Sequence, residues 1–442
     1  MILRMAVCSG LLMLGACASR PGVSTRELRQ QVAESPVFAQ SFTGFALYDT
    51  EREEMIYEYQ ADKYYTPASN TKIFTLYASL MMLGDSIPAL QYAYRGDTLL
   101  FAGTGDPTLL HPDLFGIDTT YDQSVYRFLR RHDGPLRYVA RPIADAHLGP
   151  GWAWDDYGYY YSTEKSVLPV YANVARFDFR EQQVKPTISP DYFARSASYT
   201  TDTAQMASVR RALYENRFTY GPKGDTLAFA TDVPFVQSSA TLLSLLADTL
   251  KRPVGKYLAP YPLLPRTQYS VPSDSLYRRM MHLSDNFVAE QLLLICSATQ
   301  RDTLSSKWTI DFVTKHYLAD LPDEPQWVDG SGLSRYNLQT PRTMVALLQK
   351  VDSVLSDADV RRIFPAGGVS GTVEDWYANS NGKPYVFAKT GTLGGKHCLS
   401  GFLFTQRGRK LIFSFMHNNY VTSSSVFKVE MERILRLLYE EY

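Results

Sequence analysis

The segment Thr66-Pro67-Ala68-Ser69-Asn70-Thr71-Lys72 opens an apolar run from Ile73 to Leu83 that Gly84 closes. Thr66 can cap, Pro67 suits a first helical position and Gly84 suits the residue past the end, so the pattern predicts a helix over Pro67–Leu83. Apolar residues run nearly all round it, which demands burial on every side. Ser69 falls in the first turn, where backbone N–H groups lack intrahelical partners and the helix dipole is positive. Its own N–H is thereby suited to a developing oxyanion. Lys72, three residues on, shares the helical face of the Ser69 hydroxyl. Burial and the positive helix end both disfavour an ammonium there, leaving an amine able to take the serine proton.

Ser-x-x-Lys by itself is weak evidence, since it occurs four times, at Ser69, Ser162, Ser380 and Ser425. Only Ser69 combines a helix start with an apolar helix behind it. Two further segments give it company, Ser284-Asp285-Asn286 and Lys389-Thr390-Gly391, each found once and in that order.

With 442 residues the chain is too long for one compact core and suggests two or three domains. Lys plus Arg equals Asp plus Glu at 45 each, which leaves no electrostatic footprint for nucleic acid. At the N-terminus Arg4 precedes an apolar run ending in Leu14-Gly15-Ala16-Cys17. This resembles a bacterial lipoprotein signal in which small residues precede the lipidated cysteine, here Cys17, and about 16 residues is short for a transmembrane helix. The expectation is an exported protein held at a membrane by its lipid. Cys8 would leave with the signal, so Cys296 and Cys398 remain, and the sequence does not say whether they meet.

Read in order, Ser24 caps a short helix to about Glu34, and Gly44–Asp49 and Met55–Tyr59 read as a hairpin around a charged turn. From about Pro88 to Pro272 short aromatic and β-branched runs alternate with Gly, Pro and Asp, the texture of a strand-rich insertion. Within it, Gly103-Thr104-Gly105-Asp106-Pro107 lacks the Gly-Lys-Ser/Thr ending of a phosphate loop, and Trp152 and Trp154 read as buried side chains with their N–H groups satisfied. Helical texture returns at Ser273, and Ser284 and Asp285 stand at the break before a second apolar helix, a position where such side chains often merely cap. After the loop Asp329-Gly330-Ser331-Gly332-Leu333-Ser334-Arg335, a helix from Thr340 and the loop from Phe364 to Thr372, three strands follow, Tyr385–Thr392, Leu399–Phe404 and Lys410–Phe415. Tight connections make them antiparallel. A closing amphipathic helix carries Val426, Val429, Ile434, Leu435 and Leu438. A hairpin at the start and three strands at the end predict an α+β fold, one antiparallel sheet flanked by helices.

Ser69-x-x-Lys72, Ser284-Asp285-Asn286 and Lys389-Thr390-Gly391 resemble the three motifs of the penicillin-recognising serine enzymes. Within that superfamily the chain looks most like the D-alanyl-D-alanine carboxypeptidases/endopeptidases of the type-4 penicillin-binding protein family, which carry a large insertion between the first two motifs. Gly105-Asp106-Pro107, Trp154-Asp155-Asp156, Asp285 through Glu290, Asp329 through Ser334 and Ala388 through Leu393 extend the likeness from about Gly44 to the C-terminus. One departure is Gly103-Thr104-Gly105, where the family commonly has consecutive glycines.

The resemblance implies a DD-peptidase/β-lactamase-like transpeptidase fold, with 18–87 and 270–442 as a discontinuous catalytic domain, 88–269 as a β-rich insertion and 1–17 as the signal. By the same resemblance Ser69 is the nucleophile and Lys72 its base, Ser284 relays a proton to the leaving amine, and Asn286, with Asp285, binds the substrate backbone. Lys389, Thr390 and Thr392 would hold the terminal carboxylate, Gly391 would let a substrate strand lie against the sheet edge, and the N–H groups of Ser69 and Thr392 would form the oxyanion hole. No metal or cofactor is implied. The expected partners are peptidoglycan peptides ending in D-Ala-D-Ala, β-lactams as covalent inhibitors, and the membrane through the anchor, which points to a periplasmic, outer-membrane location. A serine β-lactamase and a non-catalytic cell-wall-peptide-binding lipoprotein of the same fold are the alternatives. The long insertion argues against the first and the intact lysine base against the second. A Ser-His-Asp or metal hydrolase finds no Gly-x-Ser-x-Gly or His-Glu-x-x-His to support it.

Overall fold

Alternation along five strands fixes the central layer of the molecule. The computed structural model describes residues 23–114, 123–181, 185–201, 209–221, 228–379 and 382–442. The expected lipoprotein signal with Cys17, and Ser380 of one Ser-x-x-Lys repeat, lie outside them. Strands β1 (Phe42–Asp49), β2 (Glu54–Tyr59), β14 (Val386–Leu393), β15 (Lys396–Phe404) and β16 (Lys410–Asn418) form one antiparallel sheet in the order β14-β15-β16-β1-β2. The first and last parts of the chain therefore meet at β1 and β16, where Phe45 faces Phe415.

Side chains two apart share a face of a strand, and each face of this sheet covers a different core. Phe45, Leu47, Val386, Ala388, Phe413 and Phe415 pack with helices α1 (Thr25–Val32) and α10 (Ser424–Glu441). The alternate residues Ala46, Phe387, Phe402, Ile412 and Met416 pack with α2 (Lys72–Met82), α6 (Asn286–Ala298) and α8 (Pro341–Val354). Lys389 shares the parity of Phe387, so the same alternation turns it toward α2 and α6. A register slip of one residue would turn it away.

Residues from Ser86 to Pro272 form three smaller sheets with a core of their own, including Phe101, Phe177, Phe193 and Phe218. The largest, in the order β12-β5-β4-β3-β13, comprises β3 (Ser86–Arg95), β4 (Thr98–Gly103), β5 (Leu136–Tyr138), β12 (Val254–Lys256) and β13 (Arg266–Pro272). A second pairs β6 (Val174–Phe179) with β7 (Thr187–Ser189) and β11 (Phe229–Pro234), and a third holds β8 (Ala197–Tyr199), β9 (Val209–Arg211) and β10 (Phe218–Tyr220). Helices α3 (Ser124–Arg131) and α4 (Ser239–Leu250) add Leu129 and Leu245 to this core. Pro272 lies opposite Ser86, so the chain leaves this region beside its entry and runs into α5 (Ser273–His282), α6, α7 (Ser306–Tyr317), α8 and α9 (Asp357–Ile363).

Three local expectations need correction, and one open question closes. The predicted Pro67–Leu83 helix is a 3-10 turn at Ala68–Thr71 followed by α2, and the Thr66 side chain does not cap it. In α10, Val426 and Val429 face solvent, because the buried stripe is Phe427, Met431, Ile434, Leu435 and Leu438. Trp152 does satisfy its indole N–H, on Asp329, but Trp154 is 82% exposed. Cys296 and Cys398 are separate buried free thiols on α6 and β15.

Candidate active site

The Ser69 turn is held in its tight 3-10 shape from both sides. Ala68 sits at φ 48, a left-handed conformation that costs a non-glycine residue about 1–3 kcal/mol. Two glycines make the clamp. A Cβ at Gly391 would lie 2.4 Å from the Pro67 carbonyl oxygen, and one at Gly332, whose φ is +82, would lie 1.9 Å from that of Ala68. The buried Asn70 amide completes it, donating from Nδ2 to the Lys389 carbonyl at 2.9 Å. Gly391 is thus required where β14 packs on the Ser69 turn, a different reason from the open edge expected of it.

Lys72 is fully buried at the start of α2. Its Nζ donates to Asn286 Oδ1 at 2.7 Å and to the Ser331 carbonyl at 2.7 Å, and lies 2.9 Å from Ser69 Oγ. A neutral amine has two hydrogens and one lone pair. Two of these partners can only accept, so its hydrogens go to them and the lone pair is left facing the Ser69 hydroxyl. Burial pushes the Lys72 pKa down to about 8, against the pull of Asp329, Asp285 and Glu290.

Two of those carboxylates, Asp329 and Glu290, organise the loop that supplies the Ser331 carbonyl. Asp329 accepts from Gly332 N, Ser334 N, Asn337 Nδ2 and Trp152 Nε1. Glu290 accepts from Ser331 N at 2.8 Å, on the same residue whose carbonyl meets Lys72. Burial first, and Asp329 second, push the Glu290 carboxyl up to about 7.

Ser284 stands between α5 and α6 at φ 54, and Lys389 Nζ donates to its Oγ at 2.9 Å and to the Thr390 carbonyl at 2.8 Å. Burial, and after it the charge of Lys72, hold the Lys389 amine well below the usual lysine range. Asp285 does the capping, accepting from Val288 N at 3.0 Å, and pairs with Arg279 at 2.8 Å. Each of its oxygens thus holds a protein group. Asn286 Nδ2 donates one of its two hydrogens to the Tyr161 carbonyl at 2.9 Å. Thr390 Oγ1 donates to Thr372 Oγ1 at 2.7 Å, and Thr392, exposed near the end of β14, pairs with His397 Nδ1 at 2.9 Å. A cavity of about 450 Å³ opens over Ser69, Ser284, Asn286, Tyr160 and Asp113.

Hydrogen bonds thus join Ser69, Lys72 and Asn286 in one group and Ser284 and Lys389 in another, with Ser69 in the 3-10 turn, Lys72 on α2, Ser284 just before α6, Asn286 at its start and Lys389 on β14. Sequence reading missed Asn70, Glu290, Ser331, Thr372, Tyr161 and Arg279. Glu290 carried a signal, as the one charged residue of a largely apolar helix, four residues after Asn286 and on its face. Ser331 and Tyr161 act through backbone carbonyls, which no side-chain type announces.

Both the sequence and the fold have known relatives. Residues 25–219 and 260–440 match the D-Ala-D-Ala carboxypeptidase 3 (S13) family. The chain is 23% identical to D-alanyl-D-alanine carboxypeptidase DacB of Haemophilus influenzae, over 98% of this chain and 97% of that protein. It is 26% identical to a D-alanyl-D-alanine carboxypeptidase of Actinomadura sp., over 92% of this chain and 83% of the relative. The crystal structure of penicillin binding protein 4 from Haemophilus influenzae superposes with a TM-score of 0.73 at 21% identity, covering 94% of this chain and 99% of that one. The chain belongs to the D-Ala-D-Ala carboxypeptidase 3 (S13) family.

Proposed function

We propose that this family member is a serine-type D-Ala-D-Ala carboxypeptidase that works through an acyl-enzyme on Ser69, and that it also acts as an endopeptidase on cross-linked stem peptides. The observation that carries the reading is the Lys72 amine, 2.9 Å from Ser69 Oγ with its two hydrogens committed to Asn286 and Ser331. Lys72 takes the Ser69 proton as Oγ attacks the carbonyl between the last two D-alanines. The N–H groups of Ser69 and Thr392 hold the oxyanion, where losing one donor typically costs about 3–4 kcal/mol of barrier. As the C–N bond breaks, Ser284 passes a proton to the leaving amine, and the Lys389 contact to Ser284 Oγ supports that role. Lys389, Thr390 and Thr392 receive the terminal carboxylate, and water then hydrolyses the ester.

On this reading β-lactams acylate Ser69, and the protein is exported and lipid-anchored through Cys17, facing the periplasm. Incubation with uncross-linked and cross-linked muropeptides is the test. Release of D-alanine from the first and cleavage of the second are expected, both lost in Ser69→Ala. Activity on neither would remove the proposal, and rapid turnover of penicillin instead would make the chain a β-lactamase.

A further inference from the structure

The inserted region grips the N-terminal end of α6 at three successive levels. At the first level, Arg279 on α5 donates through Nε to Asp285 at 2.8 Å and through Nη2 to Asp113 at 3.2 Å, and Asp113 belongs to the loop after β4. Asp113 is held in turn by Arg176 at 2.6 Å, and Arg176 pairs with Asp232 at 2.7 Å across the β6–β11 ladder. Five side chains of alternating charge thus run from the sheet of the insertion to the cap of α6. At the second level the Tyr161 carbonyl accepts from Asn286 Nδ2 at 2.9 Å. At the third, the buried Gln291 donates to the Gly105 and Ser166 carbonyls and accepts from Ser166 N at 3.1 Å.

These contacts surround the one residue of the second motif with a left-handed backbone, Ser284 at φ 54. A conformation of that kind persists only where its neighbours over-determine it. Asp285, next in sequence, is fixed by its cap to Val288 and by Arg279. Arg279 spans two carboxylates with two different nitrogens of one planar fork, where a lysine would have to reach both from a single atom.

We propose that region 88–269 positions the second motif, with Asp113 and Arg279 as positioning residues that hold Ser284 and Asn286 against Lys389 and Lys72. The insertion then serves the chemistry directly, besides lining the cleft. The proposal rests on the acyl-enzyme reading only for its kinetic consequence. Its structural consequence stands alone.

Asp113→Asn keeps the size of the side chain and removes the charge shared by Arg176 and Arg279, while Arg279→Lys keeps the charge and loses the fork. Each variant is to be compared with the full-length wild type by amide hydrogen exchange and by the rate of acylation with a fluorescent penicillin. Both variants should exchange faster at 284–289, the Val288 amide above all, with α2 and β14 unchanged. Acylation should slow about tenfold in its first-order step, with little change in the preceding binding constant. Unchanged exchange at 284–289 in both variants overturns the proposal whatever the kinetics show. Faster exchange with wild-type acylation, or a loss confined to binding, overturns the positioning role. A wild type that takes no label would refute the acyl-enzyme reading, and exchange alone would then decide this one.

Discussion

At the residue scale the site turns on the proton of Lys72. Its pKa is pushed down to about 8 by burial, and a base works only when deprotonated. Acylation by a β-lactam should therefore rise with pH to a plateau, with an apparent pKa near 8 on its acid side. Lys72→Ala should slow acylation at least about 100-fold and abolish that limb. A stopped-flow pH profile that stays flat across this range would contradict the assignment. Glu290 makes a stability prediction of a different sign. Its folded-state pKa is raised to about 7 from 4.5, so the unfolded chain gives up this proton first. Over that window the native state binds more protons, and stability falls as pH rises. Glu290→Gln keeps an oxygen for Ser331 N and removes the titration. Its Tm should gain on wild type as pH rises from about 4.5 to 7, and a gap that stays constant or shrinks counts against the buried carboxyl.

At the element scale the first motif depends on close packing as much as on its helix. β14 and the Asp329–Ser334 loop approach the Ser69 turn closely enough that neither Gly391 nor Gly332 has room for a methyl group. Gly391→Ala should destabilise by about 1–3 kcal/mol, as overpacking does. It should also reduce acylation, since the Pro67 carbonyl and Asn70 must move. Thermal unfolding together with penicillin labelling checks both, and a variant matching wild type in each would show that the clamp is slack. The sequence was legible where chemistry restricts residue type. Two serines, two lysines and an asparagine in three spaced motifs led to groups that hydrogen bonds now link. It misled where only the periodicity of a finished helix decides, as in α10. There the buried residues step from Phe427 by four, seven, eight and eleven, which leaves Val426 and Val429 outside. Trp154 shows the same limit, because residue type did not reveal that Asp329 serves Trp152 instead.

At the scale of the whole molecule, sheet order explains why residues far apart in sequence share one cleft. β1 lies between β2 and β16, so the sheet is complete only when the last strand pairs along Phe42–Asp49. Thr43 and His417, joined at 2.9 Å, mark that seam. Removing residues 406–442 would leave β1 and β15 with open edges and their apolar face uncovered by α10. Such a chain should aggregate or be digested rapidly by a protease under conditions that spare the full protein. A resistant fragment that still binds penicillin would show that the seam is dispensable. The hairpin and the three late strands were readable from turn residues and alternation, but their order was not, because strand pairing across such a separation leaves no local trace. The contacts between the insertion and α6 were likewise invisible, since ordinary Asp and Arg residues in distant segments make them.

The central claim is that an unprotonated lysine activates Ser69 in a cleft assembled from three distant segments. Peptide mapping by mass spectrometry after brief exposure to a penicillin tests it most directly. The account predicts a single covalent adduct on the peptide carrying Ser69, absent from Ser69→Ala and strongly reduced in Lys72→Ala. An adduct on another residue, or one that survives Ser69→Ala, would contradict it.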